Sequence, residues 1–532
     1  MLRDLRSRRL LALAPLLLFA FGAYVSLRYS LGLWHADPDV SVPFNLWQGA
    51  SRHGVAFLKT WTYSPDNWLF SLLPLDAALL TLSPNHPTII VLSGWAIFLA
   101  SAALTGALLA QMSGRLVGLW LAAALSFANY QALGAAGFLS YPITHNISML
   151  WGLAALWLCA VGLRAPGRAV AGLALVAGCL CLLLNGLSDP WAAVAVTLPV
   201  ALTGGAVGVL ARRDPLGRRA LWLCVGALLV FAATRSRGFG MLAFLPPSPL
   251  VFTNADGVAQ NAGWAFRALA ATFNVVPHAN PDSVPPMVIS GLAAMALIGT
   301  MSVVALQRLS TADLPTRFVI GVCMASLAAI SGAFLVGEWP HGLMVGRFFP
   351  NGYFFAGLVV AWAATRTWGT WRPAARAAGV VYAVLFMAAG VLSFPSLWTG
   401  RTAPRGHEDI LQIARFLDRQ GLHYGYGPYW GAYALSMDWV TGGKTIVRPV
   451  TFRGGRVARR PFESSPYWYS LADEPPALRE RFLVIAKDGD ECPSVEECVA
   501  EAVAQFGPAA RDIPYGDMRI LVWTKPIGSL LL

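Results

Sequence analysis

Two carboxylates one residue apart, Asp37-Pro38-Asp39, follow directly on the first long apolar run of this 532-residue chain. A carboxylate in that place can accept a proton from a hydroxyl group, or it can cap the helix that comes next. Another acid sits among aromatic groups in Tyr63-Ser64-Pro65-Asp66-Asn67-Trp68, where an ordinary turn is the competing reading. Later, Glu338-Trp339-Pro340-His341 and Arg347-Phe348-Phe349-Pro350-Asn351 gather ionisable and aromatic side chains between two apolar runs. A guanidinium there can fork onto two oxygens of an anion, or simply carry its head to a membrane interface. Arg235 and Arg237 pose the same choice beside an earlier run. There is no Walker motif, no G-x-G-x-x-G between strand and helix, and no nucleophile elbow, which sets aside the chemistries those motifs serve.

Such residues need a scaffold, and composition names its class. The chain is 56% hydrophobic and 12% charged, against roughly 45–50% and about 25% in soluble domains. So few charges cannot cover a water-soluble fold of this size, so the chain reads as an integral membrane protein and not as a fibrous, disordered or nucleic-acid-handling one. A spanning helix takes about 20 apolar residues. Eleven runs meet that need, near 10–29, 88–111, 116–134, 147–163, 169–187, 191–211, 219–234, 286–306, 318–337, 351–367 and 377–397. The fold class expected is a polytopic α-helical membrane protein of about eleven transmembrane helices. Arg3, Arg6, Arg8 and Arg9 precede the first run, but no A-x-A site follows it, so it reads as an uncleaved signal anchor.

The net charge of +12 is a topology signal. With the N-terminus inside, the cytoplasmic segments hold the four leading arginines and others including Arg115, Arg164, Arg212, Arg213, Arg308 and Arg372, against only Asp4, Asp214 and Asp313. The outer loops and the tail are close to neutral. Basic groups kept inside orient the chain with its C-terminus outside and meet anionic membrane lipids, with no call for a nucleic acid.

From about residue 398 the apolar runs shorten and helix-like and strand-like stretches alternate. Residues 1–397 therefore read as a transmembrane domain with long outer loops at 33–87 and 235–285, and 398–532 as a periplasmic soluble α/β domain. Within it, Ile410 to Gln420 and Ser494 to Phe506 read as helices, and Lys444 to Phe452, Arg481 to Lys487 and Met518 to Thr524 as strands. Cys492 and Cys498, the only cysteines outside the apolar runs, suit a disulfide in an oxidising compartment, with two free thiols as the alternative. In the first loop, Pro43 to Trp61 and Leu69 to Leu82 are too short and too polar to span, and read as helices lying in the membrane interface, with Pro43 in a first turn. Gly263 to Phe273 reads as another. His145 and His341 are expected to hydrogen-bond near span ends, and Asp76 and Asp189, each beside a proline, to cap helices.

An aspartate motif just after the first span, at the head of a long outer loop of two interfacial helices, resembles the GT-C superfamily of integral membrane glycosyltransferases. Protein O-mannosyltransferases, aminoarabinose transferases and oligosaccharyltransferases belong to it. The span count and the outer α/β domain are similar too, although many relatives join Asp directly to Glu, where this chain reads Asp37-Pro38-Asp39. The resemblance implies transfer of a sugar from a polyprenyl-phosphate-linked donor to a glycan, lipid or protein acceptor. Asp37 would then be the general base, with Asp39 its helper or replacement, and Arg347 would bind the lipid phosphate, with Arg237 and Arg235 as second choices. Asp66, Glu338 and His341 are candidates for orienting the acceptor. Asp37, Asp66, Glu338 and His341 offer oxygen and nitrogen ligands for a divalent metal ion, a cofactor that some relatives need, and the reading here prefers none. The stretch Tyr424 to Tyr433 suits either sugar stacking or an ordinary core.

Two other classes compete. A transporter or flippase of lipid-linked glycans would put ionisable groups near the middle of its spans, and these runs are almost free of them. An O-antigen polymerase or ligase would place its large loop between late spans.

Overall fold

The computed structural model describes residues 2–33, 38–83, 88–128, 139–235, 243–244, 251–277, 284–339, 347–392, 407–470, 479–487 and 492–531. Asp37, Arg237 and His341 lie outside the described residues, so the roles expected of them have no geometry. Helix α1 (Leu2–Leu33) leads into α2 (Pro38–His53), α3 (Val55–Thr60), the short strand β1 (Thr62–Tyr63) and α4 (Leu73–Leu82). The bundle continues with α5 (Thr88–Ser113), α6 (Arg115–Leu125), α7 (His145–Arg164), α8 (Arg168–Ser188), a π turn at Ala193–Thr197 running into α9 (Leu198–Leu210), and α10 (Pro215–Arg235). Strand β2 (Ala243–Phe244), α11 (Ala255–Thr272), α12 (Val284–Leu309), α13 (Leu314–Val336), α14 (Pro350–Thr367) and α15 (Pro373–Leu392) complete it.

Every one of the eleven apolar runs contains a helix, and among the described residues nine helices are long and apolar enough to cross a membrane. The two that fall short do so for different reasons. Described α6 has only 11 residues. Helix α14 carries Asn351, Tyr353, Trp362 and Arg366, yet Tyr353, Phe355, Leu358, Val359 and Trp362 are fully buried. It packs against α5, α7, α12 and α13, so Asn351, Tyr353 and Trp362 meet protein where its neighbours meet lipid. The helices around it expose leucines and valines such as Leu173, Leu229 and Leu292, as lipid contact requires.

The chain after residue 407 builds a six-stranded sheet from β3 (Tyr424–Pro428), β4 (Ile446–Phe452), β5 (Val457–Arg459), β6 (Arg481–Ile485), β7 (Arg511–Tyr515) and β8 (Met518–Trp523). Its order is β5-β4-β3-β6-β8-β7, with β3 parallel to both neighbours and the outer pairs antiparallel. Helices His407–Arg419 and Val495–Phe506 accompany it. The protein is thus a polytopic helical membrane protein carrying a C-terminal mixed sheet. The strand at the centre of the sheet escaped the sequence reading because Tyr424-Gly425-Tyr426-Gly427-Pro428 looks like a turn. Gly425 is needed there by close approach, since a Cβ on it would lie 2.4 Å from the Phe482 carbonyl oxygen on β6.

Two expectations for the first loop need correcting. Helix α2 begins at Pro38, and Pro43 lies inside it, where its missing N–H leaves the Asp39 carbonyl without its usual helical partner. Nor does α2 present one apolar face to a membrane surface: Pro38 to Leu46 are buried apart from Asp39. They pack beneath the sheet region, with Ser41 and Ser436 hydroxyls 3.0 Å apart, Asn45 Nδ2 donating to the Leu435 carbonyl at 3.2 Å, and the Phe44 and Trp439 rings 6.1 Å apart. One hydrophobic cluster runs from Val40, Phe57 and Trp61 through Tyr424, Tyr426 and Trp468 to Trp523. Each such side chain contributes about 1.5–3 kcal/mol by leaving water, so the first segment and the sheet stabilise one another.

Cys492 and Cys498 form a disulfide that closes six residues at the head of helix Val495–Phe506. A loop that short removes little chain entropy, so replacing both cysteines by serine should cost about 2 kcal/mol. The expected result is a lowered unfolding midpoint that dithiothreitol reproduces in the parent protein. An unchanged midpoint in both would contradict it.

Candidate active site

The site is assembled by segments that the bundle locks in place. Residues 139–144 lie against α5, where a Cβ on Gly94 would sit 2.7 Å from the Ser140 carbonyl oxygen, and Ser30 at the end of α1 donates to Ser140 Oγ at 2.8 Å. That anchoring aims Tyr141 at the first turn of α2, where a carboxylate is favoured by the helix dipole. Its hydroxyl donates to Asp39 Oδ2 at 3.2 Å, and Tyr429, from just beyond β3, donates to Asp39 Oδ1 at 2.7 Å. Both carboxylate oxygens are therefore held by phenols arriving from segments 102 and 390 residues away in sequence.

Around Tyr429 lies a second set of charges. The Arg460 guanidinium stands 3.5 Å over the Tyr429 ring and 3.9 Å from Glu463 Oε2. Glu463 adopts φ 50°, a conformation that costs a non-glycine residue about 1–3 kcal/mol. Its N–H donates to the Thr62 carbonyl at 2.7 Å, and Thr62 N–H donates to Ser464 O at 3.0 Å, so the turn is tied to β1. Burial, with the Asp39 charge second and Arg460 opposing, pushes the Glu463 carboxyl up to about 8. Burial likewise drives the Tyr429 hydroxyl well above its usual range, and Asp39 adds to the rise.

Asp66 belongs to an adjoining group. Its carboxyl is raised above the ordinary aspartate value by burial, opposed by His145, raised further by Asp189 and lowered by Arg347. The Asp66 charge also reaches Glu463. His145, at the head of α7, is buried with Asp189: His145 Nδ1 donates to Asp189 Oδ2 at 2.7 Å, Ser148 Oγ donates to the same oxygen at 2.5 Å, and Trp191 N–H donates to Oδ1 at 2.9 Å. The carboxylate keeps the ring proton on Nδ1 and leaves Nε2 for other work. Aromatic rings close around the imidazole, with Trp68 at 5.8 Å, Phe348 at 5.1 Å and Trp191 at 6.4 Å. Phe348 also packs on Trp339 at 4.5 Å, which pins the short segment that presents Arg347.

From Phe349 an apolar cavity of about 490 Å3 runs between α11, α12, α13 and α14, lined by Phe266, Leu269, Met295, Leu327, Ile330 and Tyr353 among others. It starts two residues from Arg347.

Of the residues singled out in sequence, Asp39, Asp66 and Arg347 are thus drawn into one region. Glu338 is exposed, its N–H donating to the Val251 carbonyl, and no ion pair joins it to Arg347 among the described residues. Arg235 is exposed at the end of α10, its guanidinium 5.3 Å from the Phe231 ring. Asp189 does accept from Trp191 N–H in the manner of a cap, but its other oxygen serves His145 and Ser148. Asp76 caps nothing: it is buried and accepts from Ser93 Oγ at 3.0 Å. Tyr424, Tyr426 and Tyr429 are core residues, and Trp430 is the exposed ring of that stretch. Sequence reasoning missed Tyr141, Arg460 and Glu463, and took Tyr429 only as part of an aromatic stretch. Their one sequence signal was polar and aromatic residue type, which hundreds of intervening residues gave no means to pair. Among the described residues no three His, Cys, Asp or Glu side chains are placed to hold a metal ion, and no step below runs through one.

These features define a polytopic membrane protein with a charged, aromatic-lined site where the first connecting segment, the late bundle and the C-terminal sheet meet. No family model matches the sequence, and no curated protein matches it. Among solved structures the chain is similar to the crystal structure of an oligosaccharyltransferase from Archaeoglobus fulgidus in complex with zinc and sulfate. That similarity has 12% identity and a TM-score of 0.48 over 88% of this chain and 68% of that one. It is also similar to the crystal structure of ArnT from Cupriavidus metallidurans in the apo state, with 14% identity and a TM-score of 0.43 over 98% of this chain and 99% of that one. At these identities and TM-scores the likeness says nothing of donor, acceptor or mechanism, which must come from this chain's own residues.

Proposed function

We propose that the protein is a membrane glycosyltransferase, moving a sugar from a polyprenyl-phosphate-linked donor to a glycan, lipid or protein acceptor on the outer face of a bacterial inner membrane. The observation that supports this most directly is that Phe348, next to Arg347, lies 5.1 Å from the His145 ring, on which Trp68 of the first connecting segment also packs at 5.8 Å, so that a cation from late in the chain and acids from the first connecting segment share one site at the ends of the spans. The net charge and its placement support an N-in topology with the C-terminal sheet periplasmic.

In this reading Arg347 grips the phosphate, and the hydrocarbon chain lies in the apolar cavity beginning at Phe349. The acceptor hydroxyl attacks the anomeric carbon while the bond from that carbon to the phosphate oxygen breaks, and the bonding electrons leave with the phosphate. Asp39 takes the hydroxyl proton. Asp37, one residue before α2, is the other carboxylate for that role. His145, held by Asp189, and Asp66 line the approach and orient acceptor hydroxyls.

The test is reconstitution of the purified protein in proteoliposomes with a polyprenyl-phosphate sugar and candidate acceptors. The parent should consume the donor. Arg347→Ala should raise the donor KM about 10- to 100-fold, the worth of a charge-assisted hydrogen bond, and Arg347→Lys should recover part of the loss because it keeps the charge without the fork. A donor left untouched by the parent, or bound equally well by Arg347→Ala, would overturn the reading.

A further inference from the structure

The group least accounted for by this scheme is Glu463. It arrives from the C-terminal sheet region, sits in a left-handed backbone conformation and is largely buried, its side chain 16% exposed. Its Oε2 accepts no hydrogen bond among the described residues. A packed core has no use for such a carboxylate, and the strain of the turn is held by two backbone hydrogen bonds to Thr62, so the fold spends stability to keep it there.

Its neighbours show what it acts upon. Tyr429, which donates to Asp39 at 2.7 Å, also hydrogen-bonds Glu463 through its side chain, and Arg460 lies against both the Tyr429 ring and the Glu463 carboxyl. Asp39 and Glu463 are therefore two carboxylates joined through one phenol, with the Arg460 guanidinium beside Glu463. Two carboxylates so joined in a buried place do not both ionise; one keeps a proton and the other the charge. Asp39 accepts from a phenol on each oxygen, while Oε2 of Glu463 accepts from none among the described residues, which suits a neutral acid.

We propose that Glu463 is a positioning residue that carries a proton in this pair and, through Tyr429, holds the Asp39 carboxylate in place to act as base. The inference rests on the glycosyltransferase reading for what Asp39 does, though not for where the proton sits. The charged and titratable groups facing Glu463 are Asp39 on α2, Asp66 after β1, Tyr429 after β3 and Arg460 on its own turn. Ionisation of Glu463 would set a second negative charge beside Asp39 and repel an anionic donor. A buried acid whose value is raised stabilises the fold relative to its charged form below the ordinary glutamate range, and that advantage is lost as pH rises through about 8.

The proton's location can be read without any substrate, from the carbonyl stretch of protonated carboxyl groups in the infrared spectrum of the purified full-length protein. Glu463→Gln should remove a band present at pH 7 that fades in the parent as pH passes about 8, while Asp39→Asn should leave it in place. Transfer kinetics supply the second readout. The parent's kcat/KM should fall through the same pH range, Glu463→Gln should show no such alkaline limb, and Glu463→Ala should lower kcat about tenfold with donor KM unchanged, a loss that Glu463→Gln largely restores. Should the band survive in Glu463→Gln, or both variants keep the parent's pH profile, the proposal is overturned. A parent that shows the band yet transfers no sugar would sink the catalytic part of the proposal together with the function proposed above, and leave the proton on Glu463 established.

Discussion

Asp39→Asn should lower the rate of sugar transfer by about 10²- to 10⁴-fold, the usual contribution of a positioned base, while donor binding and folding are kept. The substitution is close to isosteric. An amide oxygen still accepts from Tyr429 and the amide nitrogen can turn toward the Tyr141 oxygen, so both contacts at 2.7 and 3.2 Å survive in altered form. What is lost is the capacity to take a proton. The loss should therefore appear in kcat, with KM for the donor within about threefold of the parent, since donor binding is assigned to Arg347. Asp37→Asn measured in parallel separates the two carboxylates of the motif. If Asp39→Asn transfers at the parental rate and Asp37→Asn does not, the base is Asp37 and the phenol pair serves structure alone.

Asp189→Ala should destabilise the protein by about 3–5 kcal/mol, the cost of breaking one partner out of a buried charged network. Its carboxylate takes three hydrogen bonds, from His145, Ser148 and Trp191, and all three donors would be left buried without it. The effect should be read as a lowered thermal midpoint in detergent, followed by tryptophan fluorescence because Trp68 and Trp191 stand around His145. Asp189→Asn should recover most of that stability, since an amide can serve His145 once the ring proton moves from Nδ1 to Nε2. It should still lose transfer, because Nε2 then carries the ring proton and no longer offers a lone pair. Equal stability of Asp189→Ala and the parent would mean that His145 finds another partner and that the network described here does not hold the site.

Much of the scaffold was legible in sequence. The apolar runs located the helices because a bilayer leaves a span so little choice of composition. In the tail, the helices His407–Arg419 and Val495–Phe506 and the strands β4, β6 and β8 fell close to their expected bounds. Helix α14 was legible as apolar but not as central, since what surrounds a helix is not written in its own residues. Strand β3 was illegible for a similar reason: its glycines are explained by Phe482 on β6, 57 residues beyond Gly425. For Cys492 and Cys498 the sequence left a disulfide and two free thiols open, and the structure has the bond.

By itself, then, the sequence determined the class of protein, the course of its spans, and the acids and arginine worth attention, because hydrophobic length, charge asymmetry and residue type act locally along a chain. Only the tertiary structure decided which of those residues work together. Asp39 meets Tyr141 and Tyr429, Asp66 feels His145, Asp189 and Arg347, and the tail brings Glu463 to the head of the first connecting segment. Hydrogen bonds and the mutual shifts of buried charges act over a few ångströms in space, and the distance in space between residues 39 and 463 exists only once the chain has folded.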